Sequence, residues 1–299
     1  MQVFIKCVKK PWGRENVKIG TYPHSNKTIQ IDNITVSHNN EDYAFLLEQT
    51  LELTEEQIDQ LKDKEKLYEE GSVAYNVVEP MNKVIQQVLG YIKYYSFIPE
   101  LDENLVAQGI TQWSLDKEIW NDIPMRYPHK WVGTNPIYTL HESFIDWIPE
   151  FIRTDTIPFF AYIHLHKAFS KTDTRDQWIN ATIAAELAFK EFLGVFKPEV
   201  MPLLVNLASP PLPKMYKNIL KEYTGEESPV YKSLSNGAEI RNALVHKPKM
   251  SPPSRRETEK YLLEVNLAIM HLQCLCYPKT DAMKFLYEKA KHEVDNFKF

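Results

Sequence analysis

Trp178-Ile179-Asn180-Ala181-Thr182-Ile183-Ala184-Ala185-Glu186-Leu187-Ala188-Phe189-Lys190-Glu191-Phe192-Leu193 is the longest clearly helical run in this 299-residue chain. Apolar or small residues cover most of its circumference, the pattern of a helix surrounded by others. Lys171-Thr172-Asp173 ahead of it is a capping segment. Glu186 falls inside the apolar sector of the wheel, between Ile179 and Leu193, and a carboxylate there needs a partner. Two cations offer themselves: Lys190, one turn on along the same helix, and Arg241 from a neighbouring helix.

Helical patterning continues on both sides of this run. Upstream, Ile157 to Phe169 reads as a helix with Phe160, Ile163 and Lys167 in step. Downstream, Glu199 to Tyr223 reads as one or two helices broken by Pro210, Pro211 and Pro213. A further helix opens at Ser228-Pro229, with Ser as N-cap and Pro in the first turn. Val230, Leu234, Ala238, Arg241 and Val245 share its stripe, and it ends in Arg241-Asn242-Ala243-Leu244-Val245-His246. Arg241 thus lies on a mostly apolar face, and Pro248 is expected to fray the helix at His246. Lys247, Lys249, Arg255 and Arg256 follow within ten residues, a phosphate-attracting cluster in a chain of net charge −5. Ser254-Arg255-Arg256-Glu257 is a capping box opening a helix with Leu262, Val265, Ile269, Leu272 and Cys276 on its core stripe. A last amphipathic helix runs from about Asp281 to Val294.

The first part of the chain reads differently. Val3–Val8, Val17–Gly20, Thr28–Ile31 and Ile34–Val36 are short β-branched runs separated by turn residues. Tyr43 to Leu53 suits either a strand or the start of a helix. Thr54-Glu55-Glu56-Gln57 is a capping box leading to Ile58, Leu61 and Leu67, and a second helix spans Val73 to Tyr95. Trp113, Trp120, Tyr127, Trp131, Tyr138 and Trp147 crowd a proline-rich stretch, as a base-stacking surface or, the better reading, as packing. The expected architecture is α+β: a β-containing N-terminal domain of unknown role over 1–150, then an all-α bundle over 151–299.

The acidic balance confines any nucleic-acid binding to a local patch. No run of about 18 apolar residues predicts a transmembrane helix, and Met1–Lys6 reads as a strand rather than a signal sequence. Cys7, Cys274 and Cys276 are expected as buried hydrophobes in a reducing compartment, so the expected location is cytoplasmic. Nine glycines leave little room for a phosphate-cradling loop. His164 and His166, two apart, point to different sides of their helix. No metal or cofactor site is expected.

The Ala184-Ala185-Glu186-Leu187-Ala188 helix, followed by a helix ending in Arg241-Asn242-Ala243-Leu244-Val245-His246, resembles the HEPN superfamily. Its signature is an Arg, four to six residues of which the first is polar, then a His; Asn242 supplies the polar residue. The likeness covers roughly 154–278. The layout is also similar to prokaryotic antiphage proteins of the ApeA type. The resemblance implies a HEPN-like bundle with metal-independent endoribonuclease activity, as a toxin or antiphage defence effector. By it, Arg241, His246 and Asn242 are catalytic and Glu186 supports Arg241. Lys247, Lys249, Arg255 and Arg256 hold RNA phosphates. The expected partners are RNA, a second copy forming a composite site, and a phage-derived or nucleotide trigger at the N-terminal domain. RNA carries its own 2′-hydroxyl nucleophile, so an acid/base plus a phosphate clamp suffices. The long proline-rich segment between the two motif helices departs from the pattern. The alternative is a non-catalytic HEPN-like nucleotide- or RNA-binding or assembly module, and a third reading makes Arg241 and His246 structural helix-end residues.

Overall fold

Strand β1 (Gln2–Lys9) turns Val3, Ile5 and Cys7 to one side, because successive side chains of a strand point to opposite faces. It lies between β5 (Ala44–Glu52) and β6 (Thr111–Ser114), antiparallel to both. The computed structural model describes residues 1–11, 18–22, 26–41, 43–62, 70–96, 98, 101, 110–123, 137–202, 211–247 and 249–297. β3 (Lys27–Ile31), β4 (Ile34–Asn39) and β7 (Asn121–Asp122) complete a six-stranded sheet of order β3-β4-β5-β1-β6-β7. β2 (Lys18–Tyr22) and β8 (Ile137–His141) form a separate parallel pair. His38 of β4 donates from Nε2 to the Ile19 carbonyl at 2.8 Å. The Tyr43–Leu53 stretch is therefore a strand, held by register on both flanks: Leu47 pairs with Cys7 and with Val36.

Helix α1 (Glu55–Lys62) starts with the expected reciprocal cap between Thr54 and Gln57. Helix α2 (Val73–Tyr95) buries Val77, Met81, Val84, Val88 and Ile92. Gln49 donates to the Val77 carbonyl at 2.6 Å, close to where Pro80 interrupts the helical hydrogen bonding. Helix α3 (Glu142–Arg153) packs on β3, with Lys27 and Asp146 paired at 2.9 Å. Trp113 is buried, whereas Trp120 keeps part of its surface, with Lys6 Nζ 3.8 Å from its ring centre. The readings that touch Leu67, Tyr127, Trp131, Pro210 and Pro248 lie outside the described residues.

The chain divides into two units, Met1–Arg153 and Thr154–Phe299. The second is a helical bundle. α4 (Ala161–Ser170) buries Ala161, Tyr162, Leu165 and His166. Phe160 is exposed and Ile163 only half-buried, so the expected Phe160–Ile163–Lys167 stripe is corrected: the helix starts at Ala161, four residues after the expected Ile157, and turns a different face inward. Its first turn is capped from another helix, since the Glu191 carboxylate accepts the Phe160 and Ala161 N–H groups. α5 (Thr174–Phe196) carries the run described first, and its fully buried Ala181, Ala184, Ala185 and Ala188 let neighbours approach closely.

A 3₁₀ turn (Pro198–Val200), a π turn (Lys214–Ile219) and the short α6 (Leu220–Thr224) lead to α7 (Tyr231–His246). α7 starts later than expected: Ser228 and Pro229 form the turn before it, and Val230 makes no side-chain cap. α8 (Arg255–Cys276) opens with the expected Ser254–Glu257 capping box. It is buried almost all round from Tyr261 to Gln273, including Glu264, Asn266 and His271, so α8 shares the centre with α5. α9 (Asp281–Asp295) closes the unit. Cys7 is buried, while Cys274 and Cys276 are half-buried, and burial pushes the Cys276 thiol up to about 12.

Candidate functional site

The site is built on α7, whose seat depends on one glycine. Gly237 lies against Tyr261, and a Cβ there would overlap the tyrosine ring and its oxygen. Tyr261 stacks on Trp178 with ring centres 4.2 Å apart and shares a 3.0 Å hydrogen bond with Thr182. Trp178 Nε1 donates to the Gly237 carbonyl at 3.0 Å. Three helices thus lock together at a position with no side chain. The buried stripe of α7 is consequently Leu234, Gly237 and Leu244, and Val245 is 49% exposed. The expected stripe is rotated by one position at its C-terminal end.

Arg241 keeps its place at the edge of that face. Its Nη2 donates to both Glu186 oxygens, at 3.1 and 3.3 Å, and Nη1 donates to Asn242 Oδ1 at 2.9 Å. Of the two partners open to Glu186, the structure selects the one from the neighbouring helix. The pair is not deeply buried, with side chains 27% and 33% exposed for Arg241 and Glu186.

His246 is the last residue of α7, which is helical up to it, and Lys247 is the C-cap. Lys247 N–H bonds the Ala243 carbonyl at 2.8 Å. His246 is five helical steps on from Arg241, about 140° round the axis and about 7.5 Å along it. His246 is exposed, and its side chain hydrogen-bonds to nothing among the described residues. Within one chain, Arg241 faces α5 and His246 faces solvent.

Lys247 and Lys249 are exposed directly after His246. Arg255 and Arg256 are exposed in the first turn of α8. Arg255 Nε pairs with Glu259 at 3.0 Å, and Arg255 lines a cleft of about 560 Å³ with Lys171, Thr172 and Gln177. A second cavity, of about 290 Å³, adjoins α7 on another side, between Ser233, Asn236 and Ile240, the loop at Met250–Pro253, and Lys260, Tyr261 and Glu264 of α8. There Ser233 donates to Glu264, and Lys260 lies 3.8 Å from it. Burial raises the Glu264 carboxyl above its ordinary value despite both partners.

Sequence reasoning overlooked Arg175. Its guanidinium donates to the Leu244 carbonyl at 2.6 Å and to the Met250 carbonyl at 2.7 Å, spanning the stretch that contains His246. One signal was present. Arg175 stands in the first turn of α5, just after the Asp173 cap, where the helix dipole disfavours a cation.

Among the described residues, no three His, Cys, Asp or Glu side chains are grouped to hold a metal, and no helix is long and apolar enough to cross a membrane. Comparison of the chain with protein-family models, with curated proteins and with solved structures finds no match.

Proposed function

We propose that the chain is a HEPN-type endoribonuclease acting as a toxin or antiphage effector, with the N-terminal unit sensing a trigger. The observation that carries the reading is the fixed Arg241 guanidinium. Held by Glu186 and by Asn242 Oδ1, it is oriented before a substrate arrives, and such preorganisation is what stabilising a phosphoryl transition state requires. Because the Asn242 oxygen is occupied by Arg241, its amide N–H₂ is the group left to meet a phosphate oxygen.

In the proposed reaction the ribose 2′-oxygen attacks phosphorus, its proton passes to a base, and the 5′-oxygen leaves with a proton from an acid. The products are a 2′,3′-cyclic phosphate and a 5′-hydroxyl. His246 fills one of these proton-transfer roles, and the exposed Lys247 and Lys249 attract the backbone. The spread of about 140° between Arg241 and His246 favours a cleft completed by a second copy, with Arg241 of one chain near His246 of the other.

The test is total RNA incubated with purified protein in EDTA. Cleavage by wild type that is abolished in His246→Ala and Arg241→Ala is the expected result. His246→Ala protein that cleaves as fast as wild type sinks the mechanism. The divergence of the two side chains within one chain also favours a second reading, a non-catalytic RNA- or nucleotide-binding module. That reading predicts retention of RNA without any cleavage.

A further inference from the structure

Arg175 grips two backbone carbonyls that bracket the end of α7. Leu244 lies in its last turn and Met250 lies beyond the loop, so His246, Lys247 and Lys249 fall between the two anchor points. Two backbone bonds shape the same stretch: Lys247 N–H to Ala243 O at 2.8 Å, and Met250 N–H to Lys247 O at 2.9 Å. The carbonyls ending a helix lack helical partners and carry partial negative charge. A guanidinium suits them twice over, by its charge and by a planar fork that meets two acceptors at once. The His246 side chain hydrogen-bonds to nothing among the described residues, so the imidazole is placed through its backbone, at the end of α7 that Arg175 holds.

We propose that Arg175 is the positioning residue of this site: it fixes the turn on which His246, Lys247 and Lys249 stand, so that the imidazole meets RNA in a set place. The proposal rests on the ribonuclease reading for its catalytic consequence, but the clamp itself is testable without it. The cation's unfavourable place in the first turn of α5 is offset by these two bonds. Lysine cannot replace it, since one ammonium on a flexible stem does not hold two carbonyls in one plane.

The experiment uses the full chain with Arg175→Ala and Arg175→Lys. The first readout is tryptic cleavage under native conditions at Lys249–Met250, a bond inside the clamped turn. Proteolysis follows the population of the opened form, so Arg175→Ala should be cut at least about tenfold faster than wild type and Arg175→Lys by a smaller factor. The second readout is RNA cleavage. Misplacing a catalytic group lowers turnover, so kcat should fall by about 10- to 100-fold with KM little changed. Millimolar guanidinium should restore part of the activity in Arg175→Ala and none in wild type, a response that a merely loosened fold would not give.

If Arg175→Ala fails to fold, Arg175→Lys carries the same two comparisons. Unchanged tryptic rates in a folded variant overturn the clamp. Faster cutting with unchanged kcat overturns the positioning role. If wild type cleaves no RNA, the ribonuclease reading falls while the tryptic rates still decide the clamp.

Discussion

Arg241 and Glu186 stand 55 residues apart in sequence and meet across α5 and α7, with one guanidinium nitrogen 3.1 and 3.3 Å from the two carboxylate oxygens. The contact aims the cation. It does little to hold the fold, because both side chains keep about a third of their surface in water. A double-mutant cycle of Arg241→Met and Glu186→Gln, read by chemical denaturation, should give a coupling of about 0.2–1 kcal/mol, the range of exposed pairs. Glu186→Gln should also lower RNA cleavage while leaving the folded fraction intact. A coupling of several kcal/mol would mark the pair as a structural anchor instead.

His246 and Leu244 are two residues apart and should respond in opposite ways. His246 is exposed, so His246→Ala should move the melting temperature by no more than about 2 °C. Leu244 is 1% exposed, so Leu244→Ala should cost about 2–5 kcal/mol. Differential scanning calorimetry on both variants checks the contrast, and a large loss in His246→Ala would assign that histidine to the fold.

Gly237→Ala tests the seating of α7. The added methyl would collide with Tyr261, which cannot yield easily because it is stacked on Trp178 and bonded to Thr182. Overpacking of this kind costs about 1–3 kcal/mol. Urea titration should show that loss, and a variant as stable as wild type would mean that α7 sits elsewhere.

The pH dependence of stability should carry the mark of His271. It is 5% exposed, stacks on Tyr287, and its Nε2 lies 3.3 Å from a Glu226 oxygen. Burial lowers its pKa below the ordinary 6.5, and Glu226 offsets this only in part. As pH falls, the unfolded chain therefore takes up the proton first. The stabilisation is present above about 6.5 and is lost as pH falls from there toward the depressed folded value. Melting temperatures measured from pH 7.5 to 5.5 should fall, and His271→Gln should flatten that fall. Equal slopes in the two proteins would remove His271 from the account. His38 and His164 are shifted in the same direction, while Glu191 and Glu264, raised by burial, act oppositely as pH falls, so the comparison with the variant isolates one group.

Much of the fold was legible because its signals are local. Strand alternation in Val3–Val8, the boxes at Thr54–Gln57 and Ser254–Glu257, and the 3.6-residue spacing of Val77, Met81, Val84 and Val88 each arise within a few residues of backbone. The Tyr43–Leu53 stretch was open because its pattern serves two periods, and only pairing with β1 and β4 made it a strand. The phase of α7 misled for a related reason. Val245 is apolar and Gly237 carries no side chain, yet the glycine is the buried one, since its bare backbone admits Tyr261.

The sequence by itself determined the α+β order of elements, the position of Arg241, Asn242 and His246 on one helix, and the short list of partners for Glu186. Only the tertiary structure decided that Glu186 takes Arg241 over Lys190, that His246 remains helical and faces solvent, and that Arg175 grips the end of α7. The physical reason is distance along the chain. These contacts join residues 55, 69 and 75 positions apart, and helix periodicity says which residues share a face but not which face of another helix will meet it.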